Sequence, residues 1–144
     1  MTREQMDELI EAHVEAEIAG DVDAAVAVYT PDAEHDVVGW PNGPTTGTAA
    51  AAAFYDALMA DFATETMERV RGYHGDDFCV TEHRTTGTVP GSLLGIPGHG
   101  RRVAFRMLHV WEFRDGAISR ENIWLDTSAI VAQLSASPTD GPTA

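Results

Sequence analysis

The chain has 144 residues, 44% of them hydrophobic and 22% charged, and its formal net charge is −14 at pH 7. This length suffices for one domain with its own core, and the acidic balance argues against binding to nucleic acids or anionic membranes, which attract basic proteins. The single cysteine, Cys79, excludes an intrachain disulfide bond. Because the sequence has no apolar signal segment, we expect a cytoplasmic protein.

The first half of the chain has the apolar spacing of amphipathic helices. Three segments show it, in chain order: residues 3–19, 22–29 and 49–62. Gly20 is typical of a helix C-cap, and Asp21 is a good N-cap for the second helix. Between the second and third helices, we expect a turn at Thr30-Pro31-Asp32 and then a short strand over residues 34–38.

The second half of the chain alternates with the period of β-strands. Residues 66–74 and 78–89 are predicted to pair as antiparallel strands, and residues 91–100 to form a loop. The stretch 101–126 has two runs rich in β-branched and aromatic residues on either side of Arg114-Asp115-Gly116. Asp-Gly between such runs is the strongest short-range indication of a β-hairpin.

A last short helix is predicted over residues 128–134, and the polar, proline-rich residues 135–144 are expected to form a disordered tail. Helices that are segregated from an antiparallel sheet indicate an α+β fold. We therefore expect one domain, residues 1–134, in which a curved sheet and a helical layer leave room for a pocket.

Five segments give the sequence a family likeness, in chain order: Ile18-Ala19-Gly20-Asp21, residues 29–36, Gly47 before Phe54-Tyr55, residues 94–102, and residues 113–118. They resemble the NTF2-like superfamily, and within it the SnoaL-like and ketosteroid-isomerase-like branch. The resemblance implies a cone, in which three N-terminal helices wrap a curved, mostly antiparallel sheet that a short C-terminal helix closes. It also implies a homodimer through the outer face of the sheet.

One histidine stands out in the predicted hairpin. Period two places His109 in a row of apolar side chains on the first strand of the hairpin. It is either a core histidine or a polar group at the floor of a pocket. The resemblance to ketosteroid isomerases implies the second role, because it places the hydrogen-bond donors of that family at His13 and His109. It places the base at Asp36 when the alignment runs through Gly39, and at Val37 when the alignment runs through Ala33. His35 and Asp36 are adjacent on a strand, so only one of them can line the cavity.

Other members of the superfamily resemble the chain less at their catalytic positions. SnoaL-like cyclases usually keep an aspartate midway along the last strand, where this sequence has Ile123. The Asp-Arg-Asp set of the epoxide hydrolases of this fold corresponds to Thr85, His83 and Ile123. The resemblance therefore disfavours a cyclase or an epoxide hydrolase that works through the usual residues of its family.

The first hypothesis is an enzyme of isomerase, cyclase or lyase type that performs general acid–base chemistry on an apolar carbonyl or polyketide-like substrate. Asp36, or His35 in its place, takes a proton, and His109 and His13 donate hydrogen bonds to the developing oxyanion. The expected apolar walls are Trp40, Tyr55, Phe62, Met107, Trp111 and Trp124.

No compact metal-binding pattern such as HExxH occurs, so neither a metal nor a cofactor is predicted. The alternative is a non-catalytic module that binds a hydrophobic ligand.

Overall fold

The structure is a computed structural model and describes residues 1–136. The described residues form four helices: α1 Arg3–Ala19, α2 Val22–Ala27, α3 Thr48–Asp61 and α4 Thr127–Ser135. They form eight strands: β1 Tyr29–Val37, β2 Thr45–Thr46, β3 Ala63–His74, β4 Phe78–Val89, β5 Ser92–Leu93, β6 Ile96–Pro97, β7 Arg101–Arg114 and β8 Ala117–Leu125. The predicted tail lies outside the described residues from residue 137 onward.

Local capping explains where the helices begin and end. The Thr2 hydroxyl accepts from the backbone of Gln5 and the Gln5 side chain accepts from the backbone of Thr2, which is a capping box at the start of α1. Gly20 ends α1 in the left-handed conformation, with φ of 72°. At the other end of the chain, the Asp126 carboxylate accepts from the backbone of Ala129 and caps α4.

The main sheet has six strands in the order β2-β1-β8-β7-β4-β3. In this order the β7–β8 hairpin lies at the centre of the sheet. The pairing of β1 with β8 is parallel, and the other pairings of the six strands are antiparallel. The turn of that hairpin has positive φ at both Asp115 and Gly116, as a tight hairpin turn requires. The α+β fold expected from the sequence is thus confirmed.

Three predictions of local structure were wrong. The second helix ends at Ala27, and Thr30-Pro31-Asp32, predicted as a turn, belongs to β1. The pairing of β1 with β8 is irregular between Tyr29 and Glu34, and a proline is tolerated where the ladder of hydrogen bonds is interrupted. The predicted loop 91–100 contains the two short strands β5 and β6, which pair with each other.

The core has two parts that meet at the concave face of the sheet. In the first, Met6 and Ile10 of α1 pack with Trp111 and Ile118 of the central hairpin. In the second part, α4 packs against the other end of the sheet. The buried residues of this second part are Phe62, Val89, Leu93, Val103, Phe105, Ile130 and Leu134. Within residues 1–136, no helix is long and apolar enough to cross a membrane.

Candidate active site

The concave face of the sheet and the helices above it enclose a cavity. It contains about 490 Å³ of space free of atoms, including its mouth. Its walls are mostly apolar, with Trp40, Phe54 and Phe62 among the large side chains that line it. The ionisable side chains of the lining are Glu17, His35, Tyr55, His109 and Glu121. An apolar cavity with a few convergent polar groups is the usual form of a small-molecule site.

Glu121 of β8 lies at the centre of the polar part and is only 1% exposed. The hydroxyls of Tyr29 and Tyr55 both donate to its Oε2 atom, the second at 2.9 Å. Nε2 of His13 lies 3.5 Å from Oε2, and Nε2 of His109 lies 3.5 Å from Oε1. We call these five residues the Glu121 cluster.

The two tyrosines keep their protons. Burial, together with the nearby Glu121 carboxylate, raises the pKa of Tyr29 and of Tyr55 well above the usual value. Burial would also raise the pKa of Glu121, but the neighbouring histidines and the Tyr29 hydroxyl outweigh it and lower that pKa. Glu121 is therefore a carboxylate that accepts hydrogen bonds from neutral hydroxyls.

His35 lies directly beside Glu121, because β1 and β8 pair these two residues in register. Its ring packs against Phe54, with ring centroids 4.5 Å apart, and the side chain is 2% exposed. Among residues 1–136, Nε2 of His35 has no hydrogen-bond partner. Burial lowers the pKa of His35, so its imidazole is neutral near pH 7.

Glu17 of α1 is a second buried carboxyl group in the lining, 8% exposed. Burial raises its pKa to about 7, against the opposing effect of His13, whose Nε2 lies 3.9 Å away. The Thr64 hydroxyl donates to its Oε1 atom at 3.5 Å. A carboxyl group with a pKa near 7 can both give and take a proton at neutral pH.

Residues 10–121 match the SnoaL-like domain family, which is more than half of the chain. The chain belongs to the SnoaL-like domain family. No curated protein sequence gives a significant match to this SnoaL-like domain.

Solved structures show the same fold. A protein of Xanthomonas campestris assigned as a polyketide cyclase is 24% identical, with a TM-score of 0.82 over 92% of this chain and 98% of that one. A protein of Bacillus subtilis assigned as an isomerase is 16% identical, with a TM-score of 0.77 over 93% of this chain and 95% of that one. An LEH-like epoxide hydrolase of M. tuberculosis is 19% identical, with a TM-score of 0.70 over 88% and 86%. At these identities, the likeness shows the fold alone.

The structure of this SnoaL-like domain decides between His35 and Asp36. His35 lines the cavity, whereas Asp36 points to the outer face of the sheet, where Asn122 donates to it at 2.9 Å and Arg120 lies 3.6 Å away. Adjacent residues of a strand face opposite sides, so the placement of one fixes that of the other. Of the two alternatives that the sequence left open for the base, the structure thus places His35, and not Asp36, in the cavity lining.

The two other predicted histidines lie close to the cavity in different ways. His109 belongs to its lining. His13 lies behind Tyr55, with its Nδ1 atom bonded to the carbonyl of Ala25 at 2.9 Å and its Nε2 atom 3.1 Å from the Tyr55 hydroxyl. His13 therefore contacts the Glu121 cluster from inside the protein, and no direct contact with a ligand follows from its position.

Four of the six predicted wall residues line the cavity: Trp40, Tyr55, Phe62 and Met107. Trp111 is fully buried beneath His109, with stacked rings 4.8 Å apart, and belongs to the core. Trp124 was placed wrongly, because it is 52% exposed and bonded to Asn122 on the outer face. The residues of β8 that face the cavity are those in phase with Glu121, and Trp124 has the opposite phase.

Two buried carboxyl groups of the lining, Glu121 and Glu17, were not among the predicted site residues. Glu121 stands two residues before Ile123, so period two puts both on one face, and the family resemblance had already marked Ile123 as an inward position. Glu17 follows His13 by four residues on α1, which places both on the buried face of that helix. Glu121 could have been found by counting back two residues along the strand from Ile123, and Glu17 by counting four residues along the helix from His13.

A possible metal-ligand group lies outside the cavity lining. Among the described residues, Asp7, His74 and Cys79 have ligand atoms within 4.8 Å of one another. The Asp7 carboxylate already accepts from the Arg69 guanidinium at 2.6 Å and lies 3.0 Å from Nε2 of His74. Because a guanidinium would compete with any cation for Asp7, this group gives no support for a metal site.

Proposed function

We propose that this SnoaL-like domain is an enzyme that needs no cofactor and transfers protons on a small apolar carbonyl compound, in an isomerase, cyclase or lyase type of reaction. One observation supports this most directly. The neutral imidazole of His35, whose Nε2 atom has no partner within residues 1–136, adjoins the buried carboxylate of Glu121 in the lining of an apolar cavity. Buried polar atoms without a partner are costly, and a polar substrate atom would satisfy this one.

In this proposal His35 is the base. Its neutral ring takes a proton from the carbon next to the substrate carbonyl and becomes an imidazolium ion. The Glu121 carboxylate, which faces it across the β1–β8 pair, then stabilises that positive charge. Charges attract more strongly in a cavity from which water is excluded than they do in water.

Glu17 is the complementary acid. With a pKa of about 7, it is partly protonated at neutral pH and can donate to the carbonyl oxygen on which negative charge develops. Environments that push the pKa of two groups in opposite directions are a common way to assign an acid and a base. Here burial raises the pKa of Glu17 and lowers that of His35.

The alternative is a binding module without catalysis. It is favoured by the saturation of the Glu121 Oε2 atom, which already accepts from two tyrosine hydroxyls. Such a site would hold an apolar ligand against the aromatic walls and leave it unchanged. An epoxide hydrolase stays disfavoured, because Thr85, His83 and Ile123 occupy the positions of the usual Asp-Arg-Asp set.

The test follows proton transfer directly. A panel of small apolar ketones is incubated with the protein in D₂O, and exchange of the protons next to the carbonyl is recorded by NMR. Wild type should accelerate exchange, and His35→Gln should reduce the acceleration by about 10²- to 10⁴-fold, the usual contribution of a positioned proton-transfer group. Asp36→Asn is the matched control and should exchange like wild type, because Asp36 lies on the outer face.

The outcomes separate the two functions. Ketones that bind without exchange would show a binding module and contradict the enzyme. The pH dependence is a further check: the exchange rate should fall as pH rises through about 7, where Glu17 loses its proton. It should also fall at acidic pH, where His35 becomes protonated before it meets substrate.

The homodimer implied by the family resemblance stays a prediction. Leu108 and Trp124 are paired across β7 and β8 and are 40% and 52% exposed on the outer face of the sheet, where that dimer would form. Sedimentation equilibrium of the wild type and of Trp124→Glu would test it. A monomeric wild type would contradict the prediction.

A further inference from the structure

Two buried histidines contact each other beside the Glu121 cluster. Nδ1 of His83 on β4 lies 3.2 Å from Nδ1 of His109 on β7, and the rings meet edge to face at 82°. Each side chain is 2% exposed. One of the two Nδ1 atoms must therefore donate and the other accept, because two lone pairs or two N–H groups at this distance would repel each other.

The position of Glu121 decides which ring donates. The Oε1 atom of Glu121 faces Nε2 of His109 at 3.5 Å, so an ionised Glu121 favours a proton on that nitrogen. A neutral His109 with its proton on Nε2 has a lone pair on Nδ1, and His83 then donates to it from Nδ1. The tautomers of both rings follow from one carboxylate.

The far side of His83 borders the protein surface. His83 lines an open crevice between α1 and β3, whose lining also includes Glu11 and Glu15 of α1 and Arg69 of β3. His109 lines the cavity at the other end of the pair. Three side chains thus form a line that leads from the crevice through His83 and His109 to Glu121, and His83 lies outside the lining of the cavity.

We propose that His83 and His109 relay protons between this crevice and Glu121. A proton enters at Nε2 of His83, the Nδ1 proton of His83 moves to Nδ1 of His109, and the Nε2 proton of His109 moves to Oε1 of Glu121. Both rings stay neutral and exchange tautomers, and Glu121 becomes a carboxylic acid. The reverse sequence returns the proton to the crevice, so no other reactant is needed.

The electrostatic surroundings agree with neutral rings. Burial, with Arg69 acting in the same direction and Glu121 opposing it, lowers the pKa of His83 to about 4. Burial is also the main reason why the pKa of His109 falls to about 3, with Glu121 opposing it and the other histidines adding to it. At neutral pH neither ring holds a charge, which is the state that a tautomer relay requires.

The relay rests on the proposed function, for which it has a clear use. A base that takes a substrate proton in a buried cavity must return it to the product or lose it to solvent before the next turnover. His35 lies beside Glu121, and Glu121 lies beside His109, so the relay connects this base with the crevice. The inward sequence starts from the resting tautomers and brings a proton to Glu121, and the outward sequence starts from the exchanged tautomers and takes one away. His83 is a positioning and relay residue in this account, since it lies outside the cavity lining.

The first test needs no substrate and no variant. Long-range ¹⁵N NMR of the wild-type protein at pH 7 assigns the protonated nitrogen of each histidine ring. The relay requires Nδ1–H on His83 and Nε2–H on His109, both rings being neutral. The opposite tautomers, or a charged ring at either position, would overturn the proposal.

The second test measures exchange of the His109 ring proton with water by magnetisation transfer. His83→Gln keeps an amide donor for His109 but cannot pass a proton, so exchange should slow about tenfold or more. The control is His99→Asn, which replaces an exposed loop histidine, at φ of 54°, with a residue that tolerates that conformation. Unchanged exchange in His83→Gln would overturn the relay.

These measurements are independent of the proposed function. If the ketone panel shows no exchange but His83→Gln slows exchange at His109, the relay stands and the acid–base enzyme fails. If the ketones exchange normally and His83→Gln leaves both ring exchange and turnover unchanged, the relay fails and the enzyme stands. In an active enzyme, His83→Gln should also lower turnover more than it alters KM, because His83 does not contact substrate.

Discussion

Arg120 and Glu121 are neighbours on β8, yet they lie in opposite surroundings. Arg120 is 29% exposed on the outer face, where its guanidinium donates to Glu34 at 2.7 Å and Glu112 at 3.3 Å. Glu121 is 1% exposed on the inner face and is held by two tyrosine hydroxyls with two imidazoles nearby. One peptide bond separates an ordinary surface ion-pair network from the centre of the candidate site.

The difference shows how solvent decides what a carboxylate does. On the outer face, water screens the charges and the ion pairs contribute little to stability. On the inner face, the charge must be satisfied by fixed hydrogen bonds, and it shifts the pKa of the groups around it. Perturbed titration in a buried cavity is the usual mark of a functional site, and of these two residues Glu121 is the one that lines a cavity.

The largest effect should come from removing the inner carboxylate. Glu121→Ala leaves the hydroxyls of Tyr29 and Tyr55 without their common acceptor, and should lower the free energy of unfolding by about 3–5 kcal/mol. Urea denaturation followed by circular dichroism measures the change. Arg120→Ala is the matched change on the outer face. If it lowers the free energy of unfolding as much as Glu121→Ala does, the contrast between the two faces is wrong.

The next effect concerns the pH dependence of stability. The pKa of Glu17 is about 7 in the folded protein against 4.5 for the free group, so the folded state holds the proton more tightly. Stability from this group is present below about pH 4.5 and is lost as pH rises through about 7, a change of about 3 kcal/mol. Glu17→Gln should remove this loss and gain stability relative to wild type as pH rises.

The difference between wild type and Glu17→Gln separates the effect of Glu17 on the pH dependence of stability from the effects of the buried histidines. His83 and His109 have lowered pKa values, so they cost stability as pH falls below 6.5, in the opposite direction and in both proteins. Glu15→Gln, on the exposed side of α1, is the matched control and should follow the wild-type pH profile. A Glu17→Gln profile parallel to that of wild type would show that Glu17 titrates normally.

The smallest effect should come from the outer network. Arg120→Ala should lower the free energy of unfolding by no more than about 1 kcal/mol at low salt, because its ion pairs are partly exposed. At about 1 M NaCl the loss should shrink, since the Debye length falls to about 3 Å. The loss caused by Glu121→Ala should stay the same over this range, and urea denaturation at both salt concentrations checks this.

Much of the fold was predictable because its signals are local. The bounds of α1 and the Asp-Gly turn of the central hairpin agree with the prediction from helical spacing, strand alternation and turn residues. The same alternation placed His109 in an apolar row, and the structure has it facing the cavity. Helical and strand periods are properties of a few neighbouring residues, so they can be recognised without the rest of the chain.

The phase of β8 was harder to predict, for a physical reason. The pairing of β7 with β8 shifts between Phe113–Ile118 and Glu112–Arg120, so one extra residue, Ser119, enters β8 at that point. Counting by two from the buried Ile118 would put Arg120 inside and Glu121 outside. The bulge reverses that phase, and its position depends on the partner strand rather than on β8 itself.

The sequence by itself determined the order of the helices and of the long strands, the α+β class and the apolar character of the concave face. Only the tertiary structure decided that Glu121 would meet His13, Tyr29, Tyr55 and His109, which come from α1, β1, α3 and β7. Tyr29 and Glu121 are 92 residues apart in the chain. No local pattern encodes such a contact, because the burial that makes a polar group seek a partner exists only after the distant elements have packed around it.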